Sequence, residues 1–109
     1  MTLENLLDIH DVLSYESRKL MYAKNSDYNA NNDPLGNLRA CECIDVPGER
    51  GVLIRMLDKI KRLDTIASGK ELKVGDEKLK DTILDIINYS VLFYAMVGEP
   101  IVKTDCAKN

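Results

Sequence analysis

Apolar residues recur every three or four positions along three long segments of this 109-residue chain, while runs that alternate apolar and polar residues are almost absent. A period near 3.6 places such residues on one face of an α-helix, whereas a half-buried strand needs a period of two. The sequence therefore predicts an all-α fold, a compact bundle of three long helices plus one short helix. In the first two long helices, the residues predicted to face the core are Leu3, Leu6, Leu7, His10, Leu13, Leu20, Met21, Leu53, Met56, Leu57, Ile60, Leu63 and Ala67.

Turn-forming residues divide these segments. Asp33-Pro34 predicts a helix start, with an N-cap followed by proline, and Gly69 predicts a C-terminal cap. Gly98-Glu99-Pro100 is a stop signal for the last helix. The predicted helices span residues 3–23, 34–43, 49–68 and 76–98, with a polar connection at 25–33. We expect a single helical domain over residues 1–100 and a flexible C-terminal tail over residues 101–109.

The apolar run from Val91 to Val97 covers more than one face of the last helix. In a chain this short, one of those faces is available to pack against another subunit. We therefore expect a homo-oligomer.

Composition narrows the class of protein. The formal net charge of −3 argues against electrostatic capture of duplex nucleic acid. The N-terminus lacks the pattern of a signal peptide, and polar residues interrupt the longest apolar stretch, so we expect a cytoplasmic protein with no membrane partner. Cys41, Cys43 and Cys106 match no zinc pattern and are interpreted as reduced thiols.

A polar stripe follows the last helix. Glu77, Asp81, Asp85 and Asn88 succeed one another at steps of four, four and three, which stacks them on one face. Stacked carboxylates repel each other, and a carboxylate in apolar surroundings is costly unless it is paired or binds a metal. We expect Asp81, Asp85 and Asn88 to form the buried part of the stripe. Glu77 is more simply interpreted as a structural residue, because an acidic side chain in the first turn of a helix interacts favourably with the helix dipole.

The preceding long helix carries a second polar cluster, composed of Arg55, Asp58, Lys59 and Arg62. Oxygen ligands from two facing helices suit Mg²⁺. The functional hypothesis is that Asp58, Glu77, Asp81 and Asp85 bind the metal while the basic residues hold phosphates. The alternatives are a solvated face on this helix and a buried ion pair between Asp85 and Arg55 or Arg62.

A third polar cluster lies in the predicted connection. Lys24 and Asn25 are candidates for contacts with phosphate or base, and Tyr28 is a candidate for stacking. Arg39, on the short helix, is positioned to close the same pocket. The structural alternative is that Lys24 only complements the C-terminal dipole of the first helix.

In their order along the chain, the KNxDY segment at Lys24, the RxxDKxxR segment at Arg55 and the DExxxDTxxDxxNY segment at Asp76 resemble the nucleotide modification associated domain family, small proteins common in phages and prophages. The family in turn is similar to the MazG-like all-α nucleoside triphosphate pyrophosphohydrolases, which bind magnesium with ExxE and ExxD motifs. Here Asp58 has no acidic neighbour at that spacing, and bases occupy its flanks.

The resemblance implies a protein that handles nucleotides, and it leaves two hypotheses for what the protein does with them. The first is a magnesium-dependent pyrophosphohydrolase for (deoxy)nucleoside triphosphates, with Asp58, Asp81 and Asp85 as catalytic residues. The second is a non-catalytic protein that binds or sequesters a nucleotide, for example a signalling nucleotide of host defence. The residues predicted to contact the nucleotide are Lys24, Asn25, Tyr28, Asn37, Arg39, Arg55, Lys59, Arg62 and Asn88. A purely structural oligomer is the third hypothesis.

Overall fold

The computed structural model describes residues 1–28, 34–69 and 76–107, and the side chains of residues 1–26, 34–69 and 78–98. Helix α1 spans Leu3–Tyr28, a 3₁₀ helix spans Asn37–Ile44, α2 spans Gly48–Ala67, and α3 spans Asp76–Ala107. Within the described ranges all regular structure is helical, which confirms the all-α fold with three long helices and one short one.

The starts and ends of the helices follow recognisable caps. The Asn5 backbone N–H donates to Thr2 Oγ1 at 3.0 Å, which satisfies one of the free donors at the start of α1. Pro47 immediately precedes α2. At the other end of α2, Gly69 has φ of 74° and its N–H donates to the Ile66 carbonyl, so its predicted role in the C-terminal cap is confirmed.

Three predicted boundaries are wrong. Helix α1 continues five residues beyond Ala23, to Tyr28, and so includes the first part of the segment expected to be a loop. Each added residue contributes a backbone hydrogen bond once a helix exists, and the Ser26 hydroxyl also bonds the Tyr22 carbonyl at 3.1 Å. The short helix is 3₁₀ rather than α and starts after a turn at residues 34–36. Asp33, the predicted N-cap, lies outside the described residues.

The last helix also runs past its predicted end at residues 98–100 and reaches Ala107. Proline removes one backbone donor and disfavours a helix interior, but the backbone here remains helical through Pro100. The domain division at residue 100 stays a prediction. No helix within the described residues combines the length and the apolar character that crossing a membrane requires.

Helix α3 is the centre of the fold, because α1 and α2 both pack against it, while the 3₁₀ helix packs against α2. The fully or nearly buried apolar side chains are Leu35, Val52 and Leu84. Gly48 and Gly51 permit the close approach of α2 to the 3₁₀ helix, since a Cβ atom at Gly51 would lie 2.8 Å from Cys41 Sγ. Cys41 and Cys43 are free thiols.

Several residues predicted to face the core are exposed instead. In α1 they belong to the first half, and in α2 they lie beside or opposite the buried face that contains Val52. Periodicity identifies an apolar face but cannot say whether the same chain supplies its partner. The exposed members of the predicted core are Leu3, Leu6, Leu7, His10, Leu53, Leu57, Ile60 and Ala67.

Candidate functional site

A cavity of about 440 Å³ opens where the second half of α1, the start of the 3₁₀ helix with the segment before it, α2 and α3 meet. This volume lies within the range of about 300–1,000 Å³ that is usual for small-molecule pockets. The cavity is lined by Arg18, Met21, Tyr22, Lys24, Asn25, Pro34, Asn37, Leu38, Arg55, Asp85, Asn88, Tyr89 and Leu92.

Two helices contribute one face each to this cavity. Arg18, Met21, Tyr22 and Asn25 of α1 are separated by steps of three, one and three. The lining residues of α3, residues 85, 88, 89 and 92, have the same spacing. Because this spacing keeps side chains on one side of a helix, each helix presents a mixed wall of apolar, aromatic and polar groups.

The charged centre of the site is the carboxylate of Asp85. Its Oδ1 lies 3.2 Å from Lys24 Nζ of α1, and its Oδ2 lies 2.9 Å from Lys59 Nζ of α2. The Asp85 side chain is 17% exposed, and that of Lys59 is 19% exposed. Burial raises the pKa of Asp85. Hydrogen bonds from Lys59 and Lys24 and the charges of both ammonium groups lower it by more than burial raises it, so the pKa lies below its usual value. The carboxylate therefore joins all three long helices.

Asn88 supplies a second tie one turn further along α3. Its side-chain amide donates to the Ser17 backbone carbonyl of α1 at 3.0 Å, and both residues are buried. A buried amide left without a partner is costly, so this bond constrains how α1 lies on α3. Glu16 and Lys80 form a further ion pair between the same helices at 2.6 Å.

The cavity is cationic although the chain is acidic overall. Among the described residues, its lining contains Arg18, Lys24 and Arg55 against the single carboxylate of Asp85, a net charge of +2. Among the described residues, neither Arg18 nor Arg55 forms an ion pair. Two guanidinium groups beside an apolar cavity provide donors for an anionic ligand.

The structure brings part of the predicted site together. Six predicted residues line the cavity: Lys24, Asn25, Asn37, Arg55, Asp85 and Asn88. Five predicted residues do not line it: Arg39, Asp58, Lys59, Arg62 and Asp81. Of these, Lys59 reaches the site through its ion pair with Asp85. The side chains of Tyr28 and Glu77 lie outside the described residues.

Two structural expectations for the stripe are wrong. Asp85 pairs with Lys24 and Lys59 rather than with Arg55 or Arg62, because α1 is long enough to bring Lys24 alongside α3. Asp81 is exposed although the adjacent Thr82 is buried, whereas Asp85 is half-buried and Asn88 buried as expected.

The donor set for a magnesium ion is incomplete in the part of the chain that the structure describes. No three carboxylate, histidine or cysteine side chains of that part come close enough together to hold a metal. Asp85, the acid within the cavity, already binds two ammonium groups. The metal site predicted from Asp58, Glu77, Asp81 and Asp85 stays a prediction, because the Glu77 side chain lies outside the described residues.

Sequence reasoning missed the residues that give the cavity its walls. Arg18, Met21 and Tyr22 lie within the helix predicted over residues 3–23, where Met21 was expected to face the core, and no local motif marks them as cavity residues. Tyr89 and Leu92 share a face with Asp85 and Asn88, so extending the stripe by one turn identifies them.

Comparison with known families decides the relationship. The family model of nucleotide modification associated domain 1 matches residues 24–97, which is more than half of the chain. The chain belongs to this family. The part matched to nucleotide modification associated domain 1 includes the ion triad of Lys24, Lys59 and Asp85, and the cavity walls from α2 and α3. The curated proteins contain no match to the chain. The solved structures contain none either.

Proposed function

We propose that the cavity between α1, α2 and α3 binds a nucleotide. The observation that supports this most directly is the combination of an apolar, aromatic-lined cavity with the guanidinium groups of Arg18 and Arg55. A nucleotide presents the matching surfaces, a flat base and an anionic phosphate. Membership of a nucleotide modification associated family is consistent with this ligand class.

The cavity walls suggest a division of roles. Tyr22 and Tyr89, with Leu38 and Leu92 beside them, provide aromatic and apolar surface on which a base can stack. Arg55 and Arg18 supply forked donors that fit phosphate oxygens. In this arrangement the amide groups of Asn25 and Asn37, which also line the cavity, contact the base edge or the sugar.

In this proposal, Asp85 is a positioning residue. Its contacts with Lys24 and Lys59 fix the ammonium group of Lys24 at the cavity and balance the positive charge there before a ligand arrives. A carboxylate engaged by two lysines favours binding over metal-assisted hydrolysis. Sequestration of a nucleotide, including a signalling nucleotide in a phage context, is the form of function that this supports.

Magnesium-dependent hydrolysis of a nucleoside triphosphate is the second candidate. It is favoured by the placement of Asp81 and Asp85 one turn apart on α3, with Asp85 at the cavity and Glu77 a further turn along the stripe. Carboxylates at this spacing suit a site that combines metal and phosphate.

One experiment separates binding from hydrolysis. The full chain is incubated with canonical and modified nucleotides, with and without Mg²⁺, while thermal stability and pyrophosphate release are followed. A ligand at a hundred times its Kd stabilises the native state by about 2.7 kcal/mol. We expect stabilisation without turnover. Turnover that Asp81→Asn abolishes would instead establish the enzyme, and the absence of either effect with every nucleotide would overturn both proposals.

The site is tested by a matched pair of arginines on α2. Arg55→Ala removes a cavity guanidinium and is expected to weaken nucleotide binding at least tenfold, since a hydrogen bond to a charged group contributes about 1.5–3 kcal/mol. Arg62→Ala removes an exposed guanidinium that does not line the cavity, and is expected to leave the Kd unchanged. Equal losses in both variants, measured by titration calorimetry, would place the ligand elsewhere.

A further inference from the structure

The first three turns of α1 have no packing partner among the residues that the structure describes. Every residue from Met1 to Val12 is exposed, and the first residue of α1 with partial burial is Leu13. We call residues 1–12 the arm. It carries large apolar side chains, with Leu6 53% and Leu7 55% exposed. An isolated helix of this length is marginal in water, so its apolar face requires a cover.

The uncovered face of the arm is continuous with a packed one. Leu3, Leu6, Leu7 and His10 lie on the same side of α1 as Ser17 and the other residues that contact α3 further along. Helix α3 covers this side only from Leu13 onward. The arm is therefore a packing surface that extends beyond its own bundle.

A second uncovered apolar surface lies on α2. Ile54 and Leu57 are exposed on the side of α2 opposite the fully buried Val52, with Leu53 and Ile60 at its margin. We call these four residues the outer face of α2. It points away from α3, whereas α1 packs against α3, so the two surfaces do not cover each other within one chain.

The two surfaces are complementary in charge. Glu4 and Asp11 flank Leu7, three residues before it and four after it, and residues 1–17 contain no lysine or arginine. On α2, Arg50 precedes Ile54 by four residues and Lys61 follows Leu57 by four. Asp58, four residues after Ile54, and Asp64, four after Ile60, are the acids beside the outer face, but α2 as a whole carries five basic residues against three acidic ones. Opposite charges around apolar centres favour docking and set its orientation.

The uncovered side chains are large and apolar. Leu6 and Leu7 of the arm are 53% and 55% exposed, and Ile54 and Leu57 of the outer face are 56% and 63% exposed. Removing such surfaces from water is the main favourable contribution to protein association.

We propose that the protein is a two-fold homodimer in which the arm of each copy packs on the outer face of α2 of the other. Two-fold symmetry lets one contact occur twice, so the arm and the outer face of α2 of both copies are buried together, while Val91, Tyr94 and Val97 of α3 stay exposed. This interface is independent of the nucleotide cavity, because no residue of the arm or of the outer face lines it.

Charge reversal provides the sharpest test. Variant one carries Glu4→Lys and Asp11→Lys, and variant two carries Arg50→Glu and Lys61→Glu. In each homodimer like charges would meet, whereas one copy of each would pair opposite charges at both contacts. Sedimentation velocity should show a dimer for the wild type, monomers for each variant alone, and a heterodimer in an equimolar mixture. A variant that failed to fold would not be rescued by mixing.

Apolar substitutions provide the control. Leu7→Ser and Leu57→Ser each remove an exposed side chain and are expected to weaken dimerisation at least tenfold while circular dichroism stays helical. Val91→Ser, on the exposed part of α3, should leave the dimer intact. A monomeric wild type, a dimer that survives the arm and α2 changes, or dissociation by Val91→Ser would overturn the proposal.

Discussion

At the scale of single residues, the site is organised by one carboxylate that three helices share. Asp85 accepts hydrogen bonds from Lys24 of α1 and Lys59 of α2, and its neighbour one turn along, Asn88, bonds the α1 backbone. The same side chains therefore hold the helices together and position the cationic groups of the cavity. Changes at Asp85 are expected to affect both stability and ligand binding.

Asp85→Asn removes the charge that balances Lys24 and Lys59. Because the carboxylate is only partly buried and solvent screens part of the interaction, the expected loss of stability at pH 7 is about 1–2 kcal/mol. Urea unfolding measures it. Asp81→Asn, one turn away on an exposed position, should change stability by less than about 0.5 kcal/mol. Equal stability of the wild type and Asp85→Asn would contradict a structural role for the ion triad.

The contribution of Asp85 also depends on pH. Its pKa is lowered in the folded state, so the unfolded chain takes up the proton at a higher pH than the folded one. The stabilisation is fully present above the unfolded pKa of about 3.9 and is lost as the pH falls through the lower folded pKa. The difference in unfolding free energy between the wild type and Asp85→Asn should therefore narrow from pH 6 to pH 3. A constant difference over this range would show that the pKa is not lowered.

At the scale of elements, the 3₁₀ helix lies close to α2 because Gly51 of α2 has no side chain. Cys41 Sγ lies 2.8 Å from the position of a Cβ atom there, and its thiol approaches the Leu38 carbonyl at 3.5 Å. The lining residues Asn37 and Leu38 belong to this 3₁₀ helix. Its packing on α2 therefore shapes one wall of the cavity.

Gly51→Ala is expected to destabilise the protein by about 1–3 kcal/mol, because the added methyl group overpacks this contact. Cys41→Ala should relieve most of that cost when the two changes are combined, so the double variant should be more stable than Gly51→Ala alone. Thermal unfolding of the four proteins in this cycle measures the coupling. Additive effects of the two changes would show that Cys41 is not what opposes the methyl group.

At the scale of the whole molecule, the chain buries few of its large apolar residues within one copy. Val52 is fully buried and Leu35 and Leu84 nearly so, whereas the arm and the outer face of α2 stay exposed. If a dimer covers these surfaces, stability depends on protein concentration, because only the folded chain associates and association therefore stabilises the native state.

The melting temperature of the wild type should therefore rise with protein concentration. A tenfold increase adds up to about 1.4 kcal/mol to the driving force for a dimer. For Leu7→Ser, which loses an arm contact, we expect the melting temperature to be lower and nearly independent of concentration in the same range. Differential scanning calorimetry at two concentrations measures both. A wild-type melting temperature that does not change with concentration would contradict a dimer coupled to folding.

The sequence by itself determined the helical class, the approximate helix positions and the face of α3 that contains Asp85 and Asn88. These depend on local periodicity, capping residues and spacing, which the order of residues carries directly. It also placed Lys24, Asn25, Asn37 and Arg55 among the candidate binding residues. Family membership, which the same local patterns predicted, is confirmed over residues 24–97.

Only the tertiary structure decided which of these groups meet. The extension of α1 past residue 23 brings Lys24 to Asp85. The packing of α1 on α3 puts Arg18 and Tyr22 on the cavity wall, while Asp58 and Asp81 remain outside it. It also decided that the apolar faces of the arm and of α2 lack cover within one chain. Periodicity states which side of a helix is apolar, but the crossing of helices, set by long-range packing, determines what that side contacts.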